Sequence, residues 1–128
     1  MNILLDTCGF LWMISDSPEL SDSAHRQFSD PGNELFLSAA SAWEIVIKHS
    51  LGKLPPPEAP QEFIRSWRTR HYIEILPIDE KSVLQLSRLP QYRNNPFDRI
   101  IFCQAIEHGM SVLTPDMRIC RYPARTMW

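Results

Sequence analysis

The sequence contains no apolar stretch that could cross a membrane and no segment that resembles a secretion signal. No run approaches the roughly 18 uncharged apolar residues that a membrane-spanning helix requires. The first residues, up to Asp6, lack the basic segment and the long apolar core of a signal peptide. We therefore expect a cytoplasmic protein that makes no contact with a membrane.

Cysteine and glycine are scarce, and neither is arranged as a motif. The three cysteines, Cys8, Cys103 and Cys120, are too widely spaced for a zinc motif or a disulfide ladder, so we expect reduced thiols. The four glycines form no phosphate-binding loop, which argues against a Walker or dinucleotide site. The Gly-x-Ser-x-Gly motif of serine hydrolases is also missing.

Positive charge is not in excess either. The 13 Lys and Arg residues face 15 Asp and Glu residues, for a net charge of −2, which taken alone argues against a nucleic-acid partner. Most of the cations, however, are Arg, the side chain better suited to gripping phosphate. The length of 128 residues and the apolar content of 44% predict one globular domain, residues 1–128.

Strand-like apolar runs alternate with helical patterns from end to end. Strands are predicted near residues 3–5, 35–38, 73–78, 111–113 and 126–128. Helices are predicted near residues 9–14, 21–29, 41–51, 61–70, 79–89 and 96–108, with a short one from Asp116. The proline-rich residues 54–60 predict an extended connection, and residues 90–95 a polar loop. Such alternation predicts an α/β fold with a parallel sheet covered on both faces.

Four acids stand beside apolar runs instead of in polar loops. They are Asp6, Glu44, Asp98 and Asp116. Ligands of parallel α/β folds bind at the carboxyl ends of the strands, where three of these acids are expected and where Asp98 falls if its helix begins there. Carboxylates packed together raise one another's pKa unless a cation joins them, and oxygen-only ligands suit Mg²⁺ or Mn²⁺.

Each acid also has a purely structural explanation. Asp6 could cap the first helix, and Asp98 could complement the dipole of its own helix. Glu44 could complete a capping box with Ser41 or pair with Lys48 one turn later. The last acid could cap the final helical turn. These explanations account for each acid separately but not for the position of all four at one edge.

Four segments, in order, resemble the motifs of PIN-domain proteins. They are Ile-Leu-Leu-Asp-Thr at residues 3–7 with Phe-Leu-Trp at 10–12, Ser-Ala-Ala-Ser-Ala-Trp-Glu-Ile at 38–45 with Lys48 and Gly-Lys-Leu at 52–54, Asn-Pro-Phe-Asp-Arg at 95–99 with Gln-Ala at 104–105, and Leu-Thr-Pro-Asp at 113–116. The ending at residues 122–128 also fits, so the resemblance covers essentially the whole chain. The most similar subgroup is the VapC-type toxins of bacterial toxin–antitoxin pairs.

The resemblance implies a three-layer α/β/α fold with a central five-stranded parallel sheet. It also implies a Mg²⁺- or Mn²⁺-dependent endoribonuclease that cuts single-stranded regions of RNA. By position, Asp6, Glu44, Asp98 and Asp116 would be the catalytic and metal-binding acids. The implied partners are the RNA substrate and a cognate antitoxin protein, and we also expect a homodimer.

Other polar residues stand close to these acids in the motifs. The hydroxyls that could bond ligands or carboxylates, or simply cap helices and turns, are Thr7, Ser38 and Thr114. The cations that could hold phosphate, or form surface ion pairs, are Arg93 and Arg99. The chain departs from the subgroup at Cys8, Asn95 and Pro115, where relatives often have His, Asp and Arg. These changes spare the four acids but put the RNA contacts in doubt.

Two further features bear on the partners. Residues 10–14 are apolar all round, which indicates either full burial or a surface for an antitoxin helix or a second copy. Without the four acids, 13 cations face 11 anions, so we expect modest, salt-sensitive affinity for RNA. A catalytically silent PIN-like module that binds RNA or protein, and a DNA-directed nuclease of the same fold, remain alternatives.

Overall fold

The computed structural model describes residues 1–53, 59–89, 95–115 and 124–128. The strands in these ranges are β1 (Asn2–Leu5), β2 (Glu34–Ser38), β3 (Ile73–Leu76), β4 (Ser111–Leu113) and β5 (Thr126–Met127). The α-helices are α1 (Thr7–Ile14), α2 (Asp22–Ser29), α3 (Ala39–Ser50), α4 (Pro60–Arg70), α5 (Glu80–Leu84) and α6 (Pro96–His108), and a 3₁₀ turn covers Gln85–Arg88. Most of the predicted extended connection and polar loop, and the helix predicted from Asp116, lie outside the described residues.

The five strands form one parallel sheet in the order β3-β2-β1-β4-β5. Leu5 is aligned with Leu37 of β2 and with Leu113 of β4, so the three strands end at the same edge. The chain adds β2 and β3 on one side of β1 and then β4 and β5 on the other. The strand order therefore reverses between β1 and β4, the place where α/β sheets bind ligands.

The sheet is covered on both faces, which explains why β1 is an unbroken apolar run. Leu4 points into a core cluster with Phe102 of α6, and Ile3 and Leu5 point into a second cluster with Phe10 of α1. All five of these side chains are fully buried. The predicted fold class, a three-layer α/β/α arrangement around a five-stranded parallel sheet, is confirmed.

Two helices begin two residues before their predicted starts, and both differences matter for the site. Helix α1 begins at Thr7 because Asp6 caps it. Helix α3 begins at Ala39, directly after β2, because Ser38 caps it by accepting a 3.0 Å hydrogen bond from the Ala40 N–H. Ser41 therefore lies inside the helix, buried, and cannot form the predicted capping box with Glu44. The prediction failed because both serines carry a capping signal, and only the end of the strand decides between them.

The other helix boundaries follow their local signals closely. Pro96 opens α6 and Gly109 ends it in the left-handed conformation at φ 65°, as predicted. The predicted helix over residues 79–89 divides into α5 and the 3₁₀ turn, which leaves Val83 and Leu84 exposed. None of the helices in the described ranges is both long and apolar enough to cross a membrane.

Candidate active site

Asp6 lies at the junction between β1 and α1, where both of its carboxylate oxygens are engaged. It caps α1, with Oδ1 accepting a 2.6 Å hydrogen bond from the Gly9 N–H. Its Oδ2 accepts a 2.7 Å hydrogen bond from the Thr114 hydroxyl, which follows β4. The capping explanation for Asp6 therefore holds, and each oxygen still keeps a lone pair for a further partner.

The electrostatics of Asp6 differ from those of an ordinary helix cap. Burial raises the pKa of this carboxyl from 3.8 to about 6, against the lowering effect of the bonds from Thr114 and Gly9. The negative charges of Asp98 and Glu44 raise the pKa of Asp6 further. Asp98 and Glu44 are therefore close enough to Asp6 to act on its carboxyl electrostatically.

Glu44 reaches this region from the second turn of α3. Its side chain is buried, and Oε2 lies 3.2 Å from the Lys48 Nζ, whose side chain is 45% exposed. The ion pair one turn along the helix, one of the structural explanations for Glu44, is therefore present. This ion pair places the Lys48 ammonium beside the acids, and Lys48 lines the same cavity as Asp6, Glu44 and Asp98.

Asp98 is brought to the carboxyl edge by the start of α6. Asn95 caps this helix by accepting a 3.0 Å hydrogen bond from the Phe97 N–H, and Asp98 occupies the first turn. The helix therefore begins at the edge of the sheet, which was the condition for Asp98 to join the other acids. Asn95 also lines the cavity, so the departure from the subgroup at this position faces the acids.

An open cavity of about 400 Å³ joins these elements. Its lining comprises Asp6, Thr7, Cys8, Leu11, Trp12, Glu44, Lys48, Asn95, Asp98 and Pro115. The lining comes from the start of α1, from α3, from the start of α6 and from the residues after β4. These segments meet where the strand order reverses, and acids that are far apart in the sequence therefore line one cavity.

The donor chemistry of the cavity fits a hard divalent cation. Asp6, Glu44 and Asp98 supply carboxylate oxygens, which Mg²⁺ and Mn²⁺ prefer. Thr7 is 6% exposed, and its buried hydroxyl finds no hydrogen-bond partner among the described residues, although such a buried polar atom needs one. Within the described ranges no three His, Cys, Asp or Glu side chains converge closely enough to hold a metal. Asp116, the fourth predicted acid, lies outside them.

A buried hydrogen-bond network ties together the helices that carry two of the acids, Glu44 and Asp98. The Ser38 hydroxyl donates to Gln104 Oε1 over 2.5 Å, and Gln104 Nε2 donates to the carbonyl oxygens of Leu76, at 3.4 Å, and Pro77, at 3.0 Å. Gln104 of α6 therefore holds the start of α3 and the end of β3. Of the three hydroxyls predicted to stand near the acids, Ser38 caps a helix, whereas Thr114 donates a hydrogen bond to Asp6.

The described lining of the cavity contains neither of the two arginines that were predicted to hold phosphate. Arg99 Nη2 donates a 3.1 Å hydrogen bond to the Leu86 carbonyl, and its buried Nε has no partner within the described part of the chain. Arg99 is absent from the cavity lining. Arg93 lies outside the described residues. A role for either residue in holding phosphate stays a prediction.

Sequence reasoning missed Gly9 and the aromatic side of the cavity. A Cβ built on Gly9 would lie 2.7 Å from Asp6 Oδ1 and 3.2 Å from the Leu113 carbonyl oxygen, so only glycine fits there without displacing the acid. A glycine inside an otherwise apolar helix was the available signal. Of the apolar residues 10–14, Phe10 is fully buried, whereas Trp12 lines the cavity.

The sequence profile of the PIN domain matches residues 3–125. This chain belongs to the PIN domain family. A 35-residue segment is 57% identical to Ribonuclease VapC16 of Mycobacterium tuberculosis, a match over 27% of this PIN domain and 25% of that protein. The shared segment thus spans about a quarter of the curated relative's length.

Several solved structures resemble this PIN domain over nearly their full length. VapBC2 from Rickettsia felis bound to a DNA fragment from its promoter is similar with a TM-score of 0.77 and 18% identity, over 99% of this chain and 98% of that chain. DNA-bound VapBC from Salmonella typhimurium is similar with a TM-score of 0.71 and 19% identity, over 99% and 97%. At these identities the similarity concerns the fold.

Proposed function

We propose that this PIN domain is a Mg²⁺- or Mn²⁺-dependent endoribonuclease that hydrolyses phosphodiester bonds in single-stranded regions of RNA. The observation that carries the proposal is that three acids from separate elements, Asp6, Glu44 and Asp98, line one cavity. Buried like charges destabilise the protein unless they serve a cation, so their joint presence favours a metal-dependent function.

The family supports the type of reaction and the biological setting. The relative that shares a 35-residue segment is named a ribonuclease, and the similar solved structures are VapBC toxin–antitoxin complexes. We infer that this chain is the toxin component of such a pair, acts in the cytoplasm, is neutralised by a cognate antitoxin and forms a homodimer. Light scattering on the chain alone and with the product of a neighbouring short gene tests both associations.

The side chains suggest a division of labour. Asp6, Asp98 and Asp116 would hold the cation, which when bound would neutralise the phosphate and lower the pKa of a water molecule. Glu44 would orient the attacking water and accept a proton from it, and the Lys48 Nζ lies 3.2 Å from its Oε2. A new bond from water oxygen to phosphorus forms as the bond to the 3′ oxygen breaks, which leaves a 5′-phosphate and a 3′-hydroxyl.

The decisive experiment compares single-stranded RNA cleavage by the parent chain and by carboxylate-to-amide variants. Asp6→Asn and Asp98→Asn should each lower kcat/KM by at least about 100-fold, the typical size of one catalytic group. The matched control is Asp22→Asn, because Asp22 is an exposed acid in the first turn of α2. EDTA should abolish cleavage and Mn²⁺ should restore it.

Two outcomes would contradict the proposal. Cleavage that persists in EDTA, or that survives Asp6→Asn, removes the metal mechanism. Equal cleavage of a DNA oligonucleotide of the same sequence would favour the DNA-directed nuclease instead.

A catalytically silent PIN-like module is the second candidate, and one observation favours it. Glu44 already has a cation in Lys48 at 3.2 Å, which partly satisfies the acidic cavity without any metal. Calorimetric titration of Mn²⁺ distinguishes the two functions. The nuclease should release or absorb heat at millimolar Mn²⁺ and lose this signal in Asp98→Asn, whereas the silent module should show no binding heat.

A further inference from the structure

The acid cavity has an apolar wall that the proposed chemistry leaves unused. Leu11 and Trp12, partly buried residues of α1, line the same space as Asp6 and Asp98, and Pro115 extends this wall. The cavity of about 400 Å³ therefore combines carboxylates with an aromatic ring. Its volume lies within the range of sites that hold small organic groups.

The ring of Trp12 is supported by a second tryptophan. The centroids of the Trp12 and Trp128 rings lie 5.8 Å apart with an angle of 62° between their planes, an edge-to-face contact. Trp128 itself packs against the core cluster that contains Phe10. Because this contact orients the Trp12 indole before anything binds, stacking on it would cost little side-chain freedom.

A nucleotide matches both halves of the cavity with a single unit. Its phosphate would be attracted by a cation held between the acids and by the Lys48 ammonium, while its base offers a flat surface to an indole. The buried Thr7 hydroxyl, unpartnered among the residues that are described, adds a polar group on the same lining. A duplex keeps its bases stacked on one another, so only an unpaired base can reach the ring.

We propose that Trp12 forms a stacking subsite for one unpaired nucleobase of single-stranded RNA, next to the phosphodiester that is cut. This inference rests on the proposed ribonuclease function and adds to it a requirement for a base at one position. Stacking on an aromatic ring tolerates any base. The subsite would therefore select single strands over duplexes without reading sequence.

The test is a double-mutant cycle between the ring and the base. Short oligouridines, each with one abasic ribose at a different position, are bound to an Asp98→Asn chain, in which cleavage is suppressed, and to the same chain with Trp12→Leu or Trp12→Phe. Fluorescence anisotropy of the end-labelled RNA gives Kd. Circular dichroism and thermal melting verify that each variant is folded, and Trp12→Phe preserves an aromatic ring if Trp12→Leu does not fold.

One abasic position should weaken binding to the chain with Trp12 by about 5- to 150-fold, the range measured for loss of one base–aromatic stack. In Trp12→Leu the same abasic position should change Kd by no more than about twofold, the usual limit for independent sites. Trp12→Phe should give an intermediate loss. The matched control is Trp43→Leu: Trp43 is 59% exposed, lies outside the cavity lining and should preserve the full penalty.

An equal abasic penalty with and without Trp12 would overturn the subsite. If the parent chain still cleaves RNA with Mn²⁺ in that case, only the subsite fails, whereas a parent chain that neither binds nor cleaves RNA removes the proposed function as well. A Trp12→Leu chain that loses an antitoxin but shows an unchanged abasic penalty would assign this wall to the protein partner and also overturn the proposal.

Discussion

The Thr114 hydroxyl donates a 2.7 Å hydrogen bond to Asp6 Oδ2 across the point where the strand order of the sheet reverses. Thr114 directly follows β4 and Asp6 directly follows β1, so the bond joins two residues 108 positions apart. It favours the charged form of a carboxyl that burial pushes toward neutrality. Burial and the hydrogen bond from Thr114 therefore shift the pKa of Asp6 in opposite directions.

Thr114→Val should move the titration of Asp6 in the metal-free chain to higher pH. The substitution removes the hydrogen bond to the charged carboxylate, so the pKa of Asp6 rises above its present value of about 6. A hydrogen bond to a charged group contributes about 1.5–3 kcal/mol, which corresponds to about one to two pH units. The measurement is the carboxyl chemical shift of Asp6 against pH without metal, with Thr69→Val, an exposed position in α4, as the control. An unmoved titration would mean that the hydrogen bond from Thr114 does not set the pKa of Asp6.

Asp6→Asn should stabilise the metal-free chain near neutral pH while it removes activity. Between pH 3.8, the ordinary pKa, and about pH 6, the folded state holds a proton on Asp6 that the unfolded state releases. The free energy of unfolding therefore falls as the pH rises through this window, by up to about 3 kcal/mol. Asparagine carries no such charge and can still accept the hydrogen bond from Gly9.

Urea unfolding at two pH values, one on each side of this window, measures the effect. The parent chain should be less stable at the higher pH, and Asp6→Asn should lose that difference. Asp98→Asn is the matched control, because removing its charge relieves only one minor cause of the raised pKa of Asp6. Saturating Mn²⁺ should stabilise the parent and have little effect on Asp6→Asn. A parent chain that becomes more stable with rising pH would contradict this prediction.

The sequence predicted the fold and the gathering of the acids because both depend on local signals. Apolar runs, proline and glycine located most of the strands and helices, and parallel strands necessarily end at one edge. Asp6 and Glu44 could therefore be assigned to that edge in advance, and Asp98 on the condition that its helix begins there. Their geometry could not, because the angle of each side chain depends on where its helix begins, as the shift of the cap from Ser41 to Ser38 shows.

Contacts between distant segments account for what the sequence did not reveal. Gln104 belongs to the third motif of the sequence, but nothing local indicates that it bonds Ser38 at the end of β2 and carbonyl oxygens at the end of β3. Trp12 looked like one more apolar residue in a run, because nothing local says that a cavity opens beside it. Such residues become recognisable only when the packing of several elements is known.

Gln104→Leu should destabilise the chain by about 2–4 kcal/mol, because it leaves the buried Ser38 hydroxyl and two carbonyl oxygens without their donor or acceptor. The matched control is Gln85→Leu, which removes a 2.8 Å bond to Glu107 in a partly buried place. Water can replace the lost donor at this partly exposed carboxylate, so that control should cost less than about 1 kcal/mol. Urea unfolding curves with a common m-value provide the comparison. Equal losses in the two variants would mean that the Gln104 network adds no more than an ordinary hydrogen bond.

Gly9→Ala should reduce activity more than it reduces stability. In a helix interior, alanine normally stabilises by about 0.5–1 kcal/mol over glycine. Here, however, the new methyl group would lie 2.7 Å from Asp6 Oδ1, so the carboxylate would have to rotate away from its bonds to Gly9 and Thr114. Steady-state kinetics should show a fall in kcat/KM of at least about tenfold, the loss expected when a contact that orients a ligand is broken. Thermal melting should show a smaller loss of stability.

The control is Gly32→Ala in an exposed turn, where the nearest atom is 3.2 Å away and belongs to another exposed side chain, so kcat/KM should not change. Full activity in Gly9→Ala would mean that the position of the Asp6 carboxylate is not critical for catalysis.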